Sequence, residues 1–463
     1  MGIYKRLVLM AIVLTAFTMA LFKAVAWNVS FGFRLPEPPL EHAVAQAVAE
    51  EAPVVRRKGR RRLRHDEESI AVKGRFDSHF ASSKLHTQTH AASLVELKDG
   101  RLRAFWFSGS REGASDVTIN SAVFDPLQNQ WGKEQAIAGR DSTQRGLHRY
   151  IAKVGNPVAT RAPDGSLWLF YVSVSLGGWA GSSITMMTSN DEGVNWSAPR
   201  RLITTPFSNI STLVKSAPFF YADGSMGLPV YHEFASKFAE ILHLDKSGKV
   251  IDKQRLAAGG QGTLQPVMLV RSAQDALVLT RYSGKGTSKH VLSMTTDDGG
   301  RSWQPVQQTV LRNPDAAMTA LVLADGKLLA VLNDQENGRD SLSMQLSSDG
   351  GVTWRELRRL EEMSALRSKQ MDERACLDLV DSLARSSDAK LEHEDVQQLA
   401  EYEDSAKSLV RTGGGCHFEF SYPYLIQARN GDIHMVYTWN RAFIKHGVFD
   451  PMWLQRRLQE GRP

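Results

Sequence analysis

The sequence predicts an all-β fold: a six-bladed β-propeller with a helical insertion, preceded by an N-terminal membrane segment. Beyond residue 78, short strands rich in Val, Leu, Phe, Trp and Tyr alternate with Asp-Gly and Gly-Gly turns, which is the pattern of antiparallel hairpins. A turn motif that ends in Trp recurs at a spacing of roughly fifty residues, the length of one four-stranded blade. Residues 78–450 therefore hold six blades, once about fifty residues are set aside as an insertion.

The composition predicts a folded body without excess charge. Of the 463 residues, 42% are hydrophobic and 23% are charged, which excludes a disordered chain. Residues 1–76 hold 13 Lys and Arg against 7 Asp and Glu, and the remaining residues hold 43 of each kind. Because the body is neutral, nucleic acid is not expected as a partner. The two cysteines also exclude a disulfide-rich scaffold and a zinc site of four thiolates.

Residues 1–27 are predicted to be a signal anchor or a signal peptide. Lys5 and Arg6 precede an apolar stretch at 7–22, and a small-residue cleavage pattern follows it. An uncleaved inner-membrane anchor is the favoured interpretation, since the stretch extends to Trp27, a residue suited to a membrane interface. The propeller would then lie in the periplasm or another extracytoplasmic space. Cleavage would instead give a secreted protein.

Three further segments are predicted outside the blades. Residues 28–77, rich in Pro, Ala, Glu and Arg, are predicted to form a disordered basic linker, and residues 451–463 a C-terminal tail. The insertion, about 356–414, has a helical spacing of Leu, Met and Val that predicts two amphipathic helices. Cys376 lies inside it and Cys416 at its exit. In an oxidising compartment these cysteines either pair and attach the helices to the body or remain two thiols.

Three turns share the motif Ser/Thr-x-Asp-x-Gly-x-x-Trp, with their aspartates at Asp191, Asp298 and Asp349, and a degenerate fourth turn has Asp245. The spacings of 54, 53 and 51 residues correspond to one blade each. The geometry of such a turn is local, because Asp accepts backbone N–H bonds, Gly takes a positive φ and Trp fills the gap to neighbouring strands. These aspartates are therefore expected to be fold residues that lie away from any site.

Such boxes, repeated at blade spacing on an exported chain, resemble the non-viral sialidase (neuraminidase) family of BNR or Asp-box propellers, in a membrane-anchored bacterial-type subgroup. The boxes themselves are structural and occur in proteins of unrelated function. The resemblance outside the boxes covers nearly all of residues 86–448. It implies a catalytic site at one end of the propeller axis, where residues of successive blades converge.

The resemblance assigns site residues by their places in the family's motifs. Arg339 precedes the third box in a segment related to N-P…R-x-x-L, and Arg281 closes the strand that follows Gln265. Both are thereby expected to clamp a sugar carboxylate. Tyr422, just before a strand and hairpin, is expected to be the nucleophile. The loop after the first hairpin supplies Arg111 for binding and Asp116 as catalytic acid and base.

These residue types suit the chemistry of an acidic sugar. A sialic acid carries a carboxylate on its anomeric carbon, which repels an anionic nucleophile but not a neutral tyrosine assisted by a base. Guanidinium groups bind that carboxylate through paired, charge-assisted hydrogen bonds.

The chain departs from the family pattern at two positions. His90 occupies the place of the first clamp arginine, and Gln265 occupies that of the glutamate that activates the tyrosine. A glutamine cannot act as a base, so Glu233 is the predicted replacement, with Glu419 in reserve. We therefore expect Glu233 within hydrogen-bond reach of Tyr422 or one water away.

The predicted function is that of a sialidase-like exo-glycosidase acting on a terminal sialic acid or a related acidic sugar of surface glycans. The alternative is a non-hydrolytic propeller that binds glycan or scaffolds an envelope assembly. The sequence has no Walker loop, no dinucleotide fingerprint after a strand and no HExxH spacing, so neither a cofactor nor a metal is expected.

Overall fold

Six antiparallel sheets, one for each predicted blade, form the body of the computed structural model. The structure describes residues 3–24, 29–39, 74–82, 86–205, 209–234, 236–256, 262–284, 286, 289–386, 402, 404–407, 410 and 415–460. The innermost strands of successive blades contact one another, and those of the first and last blades also meet, so the ring is closed. The predicted six-bladed β-propeller is confirmed.

Strand β1 (Phe76–Phe80) opens the body and belongs to the last blade. Blade 1 contains β2 (Gln88–Glu96), β3 (Leu102–Gly109), β4 (Thr118–Asp125), β5 (Gln130–Trp131) and β6 (Gln135–Gly139). Blade 2 contains β7 (Lys153–Arg161), β8 (Leu167–Val174), β9 (Ser182–Ser189) and β10 (Arg200–Arg201). Blade 3 contains β11 (Leu213–Val214), β12 (Phe219–Phe220), β13 (Met226–His232), β14 (Phe238–Leu244) and β15 (Val250–Arg255).

Blade 4 contains β16 (Thr263–Val270), β17 (Ala276–Tyr282), β18 (His290–Thr296) and β19 (Gln307–Arg312). Blade 5 contains β20 (Thr319–Val322), β21 (Leu328–Leu332), β22 (Ser341–Ser347) and β23 (Arg355–Glu362). Blade 6 contains β24 (Phe420–Gln427), β25 (Ile433–Trp439) and β26 (Phe443–Phe449). The helices are α1 (Ile3–Ala24), α2 (Arg140–Leu147), α3 (Glu373–Ser386) and α4 (Pro451–Glu460), with short 3-10 turns at Trp179–Gly181 and Ser364–Leu366.

The ring is closed by its own N-terminal strand. β1 pairs antiparallel with β26 as the outer strand of blade 6, in the register Phe76↔Phe449 to Phe80↔Lys445. The middle strands β3 and β8 are buried along their whole length because each lies between two neighbouring blades. This double burial explains why their sequences are nearly continuous apolar runs.

The two ends of the propeller carry different loops and turns. In a four-stranded blade such as blade 2, one turn joins the first and second strands and another joins the third and fourth strands. We call the end of the propeller that carries these turns the lower face, and the opposite end the upper face. The Asp boxes lie on the lower face and close locally, as predicted. Asp298 accepts hydrogen bonds from the backbone N–H of Ser302 at 3.0 Å and from the hydroxyl of Thr296 at 2.8 Å.

The segment at 29–39 differs from the predicted disordered linker, because it lies against the lower face. Phe33 is 2% exposed, and its ring lies 5.6 Å from that of Phe219 and 5.9 Å from that of Tyr221. The Phe33 backbone N–H donates to the carbonyl of Ala273 in blade 4. Aromatic burial combined with backbone hydrogen bonds to two blades outweighs the entropy of a free linker. We call residues 29–39 the strap.

Helix α1 occupies most of the predicted membrane segment. Within the described part of the chain, no helix is long and apolar enough to cross a membrane.

The insertion begins later than the predicted residue 356. Residues 355–362 form β23, the outer strand of blade 5, because their backbone completes the ladder of β22. The first predicted helix is α3, whose buried face includes Val380 and Ala384. Much of the second predicted helix lies outside the described residues. Cys376 and Cys416 form a disulfide with a Cα–Cα distance of 5.4 Å, which attaches α3 to the start of blade 6.

The predicted C-terminal tail contains a docked helix. Helix α4 buries Trp453 and Leu454, and the Trp453 ring lies 5.0 Å from that of Phe76 and 4.9 Å from that of Phe449. These aromatic contacts hold the helix against the edge where the ring closes.

Candidate active site

Each blade places one non-glycine residue with a positive φ near the upper end of its inner strand. These residues are Ala91, Asn156, Ser211, Gln265, Asp315 and Tyr422, with φ between 46° and 60°. In blades 1, 2, 4 and 6 the strand register shifts at the same point, as in a β-bulge. Left-handed backbone is uncommon for residues other than glycine, and bulges redirect side chains beside active sites. The upper mouth of the axis is therefore the candidate site.

Gln265 links two tyrosines and an arginine at this mouth. Its Nε2 donates to the hydroxyl of Tyr422 and to that of Tyr231, both at 3.4 Å. Its Oε1 accepts from Nη1 of Arg281, also at 3.4 Å. A guanidinium can only donate, so the amide oxygen must face Arg281 and the amide nitrogen must face the phenols. Gln265 is thus a hydrogen-bond donor to the predicted nucleophile.

The two predicted clamp arginines both donate hydrogen bonds to Asp315. Arg281 donates from Nε to the Asp315 carboxylate, and Arg339 donates from Nη2 to the Asp315 backbone carbonyl at 3.1 Å. Burial disfavours the charge of Arg281, but Tyr422 and Asp315 outweigh burial and raise the pKa of Arg281 above its ordinary value. The Arg281 guanidinium therefore remains cationic next to the phenol.

A third arginine joins this arrangement from the turn between β25 and β26. Arg441 donates from Nε to Glu419 at 2.7 Å and from Nη1 to Glu112 at 2.9 Å, while Arg339 donates to the other oxygen of Glu419 at 3.2 Å. Burial opposes ionisation of Glu419, but His90, Arg441 and Arg339 hold its pKa well below the usual range. A continuous polar network therefore reaches from blade 3 to blade 1. We call it the axial network; it comprises Tyr231, Gln265, Tyr422, Arg281, Asp315, Arg339, Glu419, Arg441 and Glu112.

His90 packs against the ring of Tyr422, the predicted nucleophile. It is 3% exposed, and its ring lies 4.4 Å from that of Tyr422 and 5.5 Å from that of Phe107. Burial, followed by the charge of Arg441, lowers the pKa of His90 to about 4. Its Nδ1 is buried without a hydrogen-bond partner among the described residues. His90 is therefore neutral at pH 7, and Arg441 supplies the third guanidinium.

In the loop at 111–116, Glu112 belongs to the axial network, and the predicted residues Arg111 and Asp116 lie outside it. Asp116 accepts from the backbone N–H and the hydroxyl of Ser110 at 2.9 and 3.0 Å, so it stabilises its own exposed loop. Arg111 is exposed and forms no ion pair within the described residues. Glu112 is the loop residue that enters the axial network, through Arg441.

Glu233, the predicted base, lies near the network at the end of β13. Its backbone N–H donates to the hydroxyl of Ser211 at 2.7 Å, which fixes the start of the following turn. Burial raises the pKa of Glu233, although Arg281 and Lys237 oppose the shift. Among the described residues its carboxylate forms no hydrogen bond with Tyr422, whose hydroxyl is bonded to Gln265.

Sequence reasoning assigned no role to Tyr231, Asp315 and Glu112 of the axial network, and it named Arg441 only as a residue that could complete a polar pocket. One signal was present in the sequence. The left-handed residues Asn156, Gln265 and Tyr422 each precede a proline in alternate blades, 2, 4 and 6. A residue followed by proline, repeated at the start of several inner strands, would have identified the upper mouth of the axis from the sequence.

The comparisons with known proteins agree with this architecture. The profile of a family described as BNR repeat-like domain matches residues 100–435. No curated protein is significantly similar to the chain. The solved structure of the Hadza microbial sialidase Hz136 superposes with a TM-score of 0.57 at 15% identity, covering 79% of this chain and 66% of that one. The chain thus spans slightly less than two thirds of that sialidase.

Two further structures match over nearly their whole length. A protein of unknown function from Dyadobacter fermentans has a TM-score of 0.57 at 12% identity, with 81% of this chain and 98% of that chain covered. The intramolecular trans-sialidase from Ruminococcus gnavus, solved with oseltamivir carboxylate, has a TM-score of 0.54 at 11% identity, with 81% and 97% covered. At these identities the likeness shows the fold alone.

Proposed function

This chain belongs to the family of BNR repeat-like domains, and from that membership we propose that it is a sialidase-like exo-glycosidase that releases a terminal sialic acid or related acidic sugar from a surface glycan. One observation carries the proposal: three arginines and a tyrosine from blades 4, 5 and 6 meet in the axial network at the upper mouth. Guanidiniums beside a phenol match the needs of a substrate whose carboxylate adjoins its reacting carbon.

In this proposal, Arg281, Arg339 and Arg441 bind the sugar carboxylate and hold the anomeric carbon over Tyr422. Each guanidinium already touches a protein carboxylate, which fixes its plane before substrate arrives. The Tyr422 oxygen attacks the anomeric carbon as the glycosidic bond breaks, and water later releases the sugar from the tyrosine. The donor from Gln265 stabilises negative charge that develops on the phenol oxygen.

The proton transfers are assigned to two carboxylates. We assign Asp116 as the acid that protonates the leaving oxygen, because it is exposed on the loop above the network whereas Glu112 is held by Arg441. We assign Glu233 as the group that receives the Tyr422 proton. Its raised pKa makes it a better base near neutral pH than an ordinary carboxylate.

A second candidate function is non-hydrolytic glycan binding, and one observation favours it. The hydroxyl of Tyr422 is bonded to an amide that cannot accept its proton, and no described carboxylate is hydrogen-bonded to it. A clamp without a base would bind an acidic sugar and leave it intact.

The Cys376–Cys416 disulfide favours an oxidising, extracytoplasmic compartment. We propose that residues 1–27 direct the propeller there, as an inner-membrane anchor or as a cleaved signal peptide. The N-terminal sequence of the mature chain distinguishes these two outcomes.

The decisive experiment incubates the full chain with a chromogenic sialoside and then with other acidic glycosides. We expect hydrolysis of at least one, its loss in Tyr422→Phe, and full activity in Tyr150→Phe, which alters a phenol that is 60% exposed. Binding of the free acidic sugar without hydrolysis of any glycoside would instead establish the non-hydrolytic function.

A further inference from the structure

The charges of the axial network balance within it. Arg281 is paired with Asp315, Arg339 with Glu419, and Arg441 with both Glu419 and Glu112. Three guanidiniums therefore face three carboxylates. An anionic ligand gains directional hydrogen bonds from this clamp, but little net attraction.

Two cations at the edge of the axial network lack a paired carboxylate among the described residues. Lys153 lies beside the loop at 111–116, with its Nζ 3.3 Å from where a Cβ on Gly113 would lie. Neither Lys153 nor Arg111 forms an ion pair with a described residue. They are close enough that the charge of Arg111 adds to burial in lowering the pKa of Lys153, against the opposing effect of Glu112. Two neighbouring cations left unpaired beside a clamp attract anions.

An aromatic face lies next to these cations. The Nζ of Lys153 is 4.3 Å from the centroid of the Trp179 ring. That ring lies against the backbone of Gly155, where a Cβ would be only 2.8 Å from it and would force the ring to shift. Gly155 directly precedes the left-handed residue Asn156. Trp179 is half-buried, so part of its indole is accessible to the ring of a sugar.

We infer that Lys153, Arg111 and Trp179 form a second subsite, which binds the sugar on the leaving-group side of the bond and requires that sugar to be acidic. This inference rests on the proposed function. Because Glu112 contacts Arg441 and directly precedes Gly113, beside which Lys153 lies, the subsite adjoins the clamp directly. The substrate class is then an acidic oligosaccharide, and not a neutral glycan capped by a single acidic sugar.

The test compares two disaccharide glycosides that share the terminal acidic sugar and linkage but carry an acidic or a neutral second sugar. For the full chain we expect kcat/KM to be about tenfold higher for the acidic second sugar, with a preference that weakens as salt is added. Lys153→Gln and Arg111→Gln should each lower the preference severalfold. The control is Arg149→Gln, an exposed cation bonded to Ser175 instead. Equal kcat/KM values for both substrates would overturn the inference.

A binding measurement keeps this test separate from that of the proposed function. The same disaccharides are titrated into the Tyr422→Phe variant by calorimetry, which needs no hydrolysis. We expect tighter binding of the disaccharide whose second sugar is acidic, and loss of this preference when Arg111→Gln is added to the Tyr422→Phe variant. This result supports the subsite even if no glycoside is cleaved. Equal affinities overturn it even if hydrolysis is observed. Replacing the second carboxylate by a sulfate shows which anion the subsite prefers.

Discussion

The amide nitrogen Nε2 of Gln265 lies 3.4 Å from the hydroxyl oxygen of Tyr422, although 157 positions of sequence separate the two residues. The same amide presents its oxygen to Arg281. A donor therefore stands where a tyrosine nucleophile would need an acceptor for its proton. The availability of a proton acceptor decides between hydrolysis and simple binding. Gln265 is therefore the most informative position to change.

We expect Gln265→Glu to raise turnover of an acidic glycoside by about 10-fold to 100-fold. The new carboxylate can accept the Tyr422 proton and pair with Arg281 in the same place. Steady-state kinetics on a chromogenic substrate measure the change. Gln265→Met, which removes both the donor and any acceptor, should lower turnover below that of the unaltered chain. Turnover in the glutamate variant at or below the original, with an unchanged Tm, would argue against a nucleophilic Tyr422.

Lys215 makes stability depend on pH. It follows β11 and is buried, with 5% of its surface exposed. Its Nζ donates to the backbone carbonyls of Met318 and Pro423, and burial lowers its pKa from 10.5 to about 7. Between these values the unfolded chain binds the proton that the folded chain has lost. The contribution of Lys215 to stability therefore rises with pH from about 7 to 10.5 and is constant below 7.

Lys215→Met should remove this dependence, since a methionine fills the same volume without a charge to bury. The free energy of unfolding, measured by denaturant titration, should favour the variant most at pH 7 and less as the pH rises towards 10. Lys246→Met, at an exposed lysine, is the control. A constant difference between the original and Lys215→Met chains across this range would contradict the buried, neutral amine.

Phe33 holds the strap to the lower face. Phe33→Ala removes a fully buried ring and should cost up to about 3 kcal/mol, limited by the docking free energy of the strap itself. Limited proteolysis should then cut the strap faster, while hydrolytic activity stays unchanged because the site is on the upper face. Leu35→Ala, at a side chain that is 52% exposed, is the matched control. Equal proteolysis of the two variants would show that Phe33 does not anchor the strap.

A substitution at Asp298 tests whether the Asp boxes have a structural role. Hydrogen bonds, first from Ser302, lower its pKa to about 2. Its stabilising effect is therefore complete above pH 3.8 and is lost as the pH falls towards 2. Asp298→Ala should lower stability by about 1 kcal/mol, since the carboxylate lies near solvent. Activity per folded molecule should not change. Loss of activity at an unchanged Tm would place this box in the site.

The strands, hairpins and Asp boxes followed from the sequence because the interactions that form them are local. The Asp298 carboxylate is satisfied within four residues, and the first hairpins of blades 1 and 2 close over Asp99-Gly100 and Asp164-Gly165 turns. Repetition of such units at blade spacing leaves few architectures open, since a blade can bury its faces only against other blades. Amphipathic spacing identified α3 in the same way.

The partners within the site depended on closure of the ring. Arg441 reaches Glu419 across 22 positions and Glu112 across 329, and only contact between blades 1 and 6 brings the last pair together. No local pattern encodes such a pair, so the sequence by itself indicated the loop at 111–116 but not that Glu112, and not Arg111, enters the network. The docking of Phe33 was equally hidden, because a single aromatic residue in a proline-rich segment acquires its burial only from blades 3 and 4. Local chemistry thus determined the blades, and the long-range contacts between blades decided which charges meet at their axis.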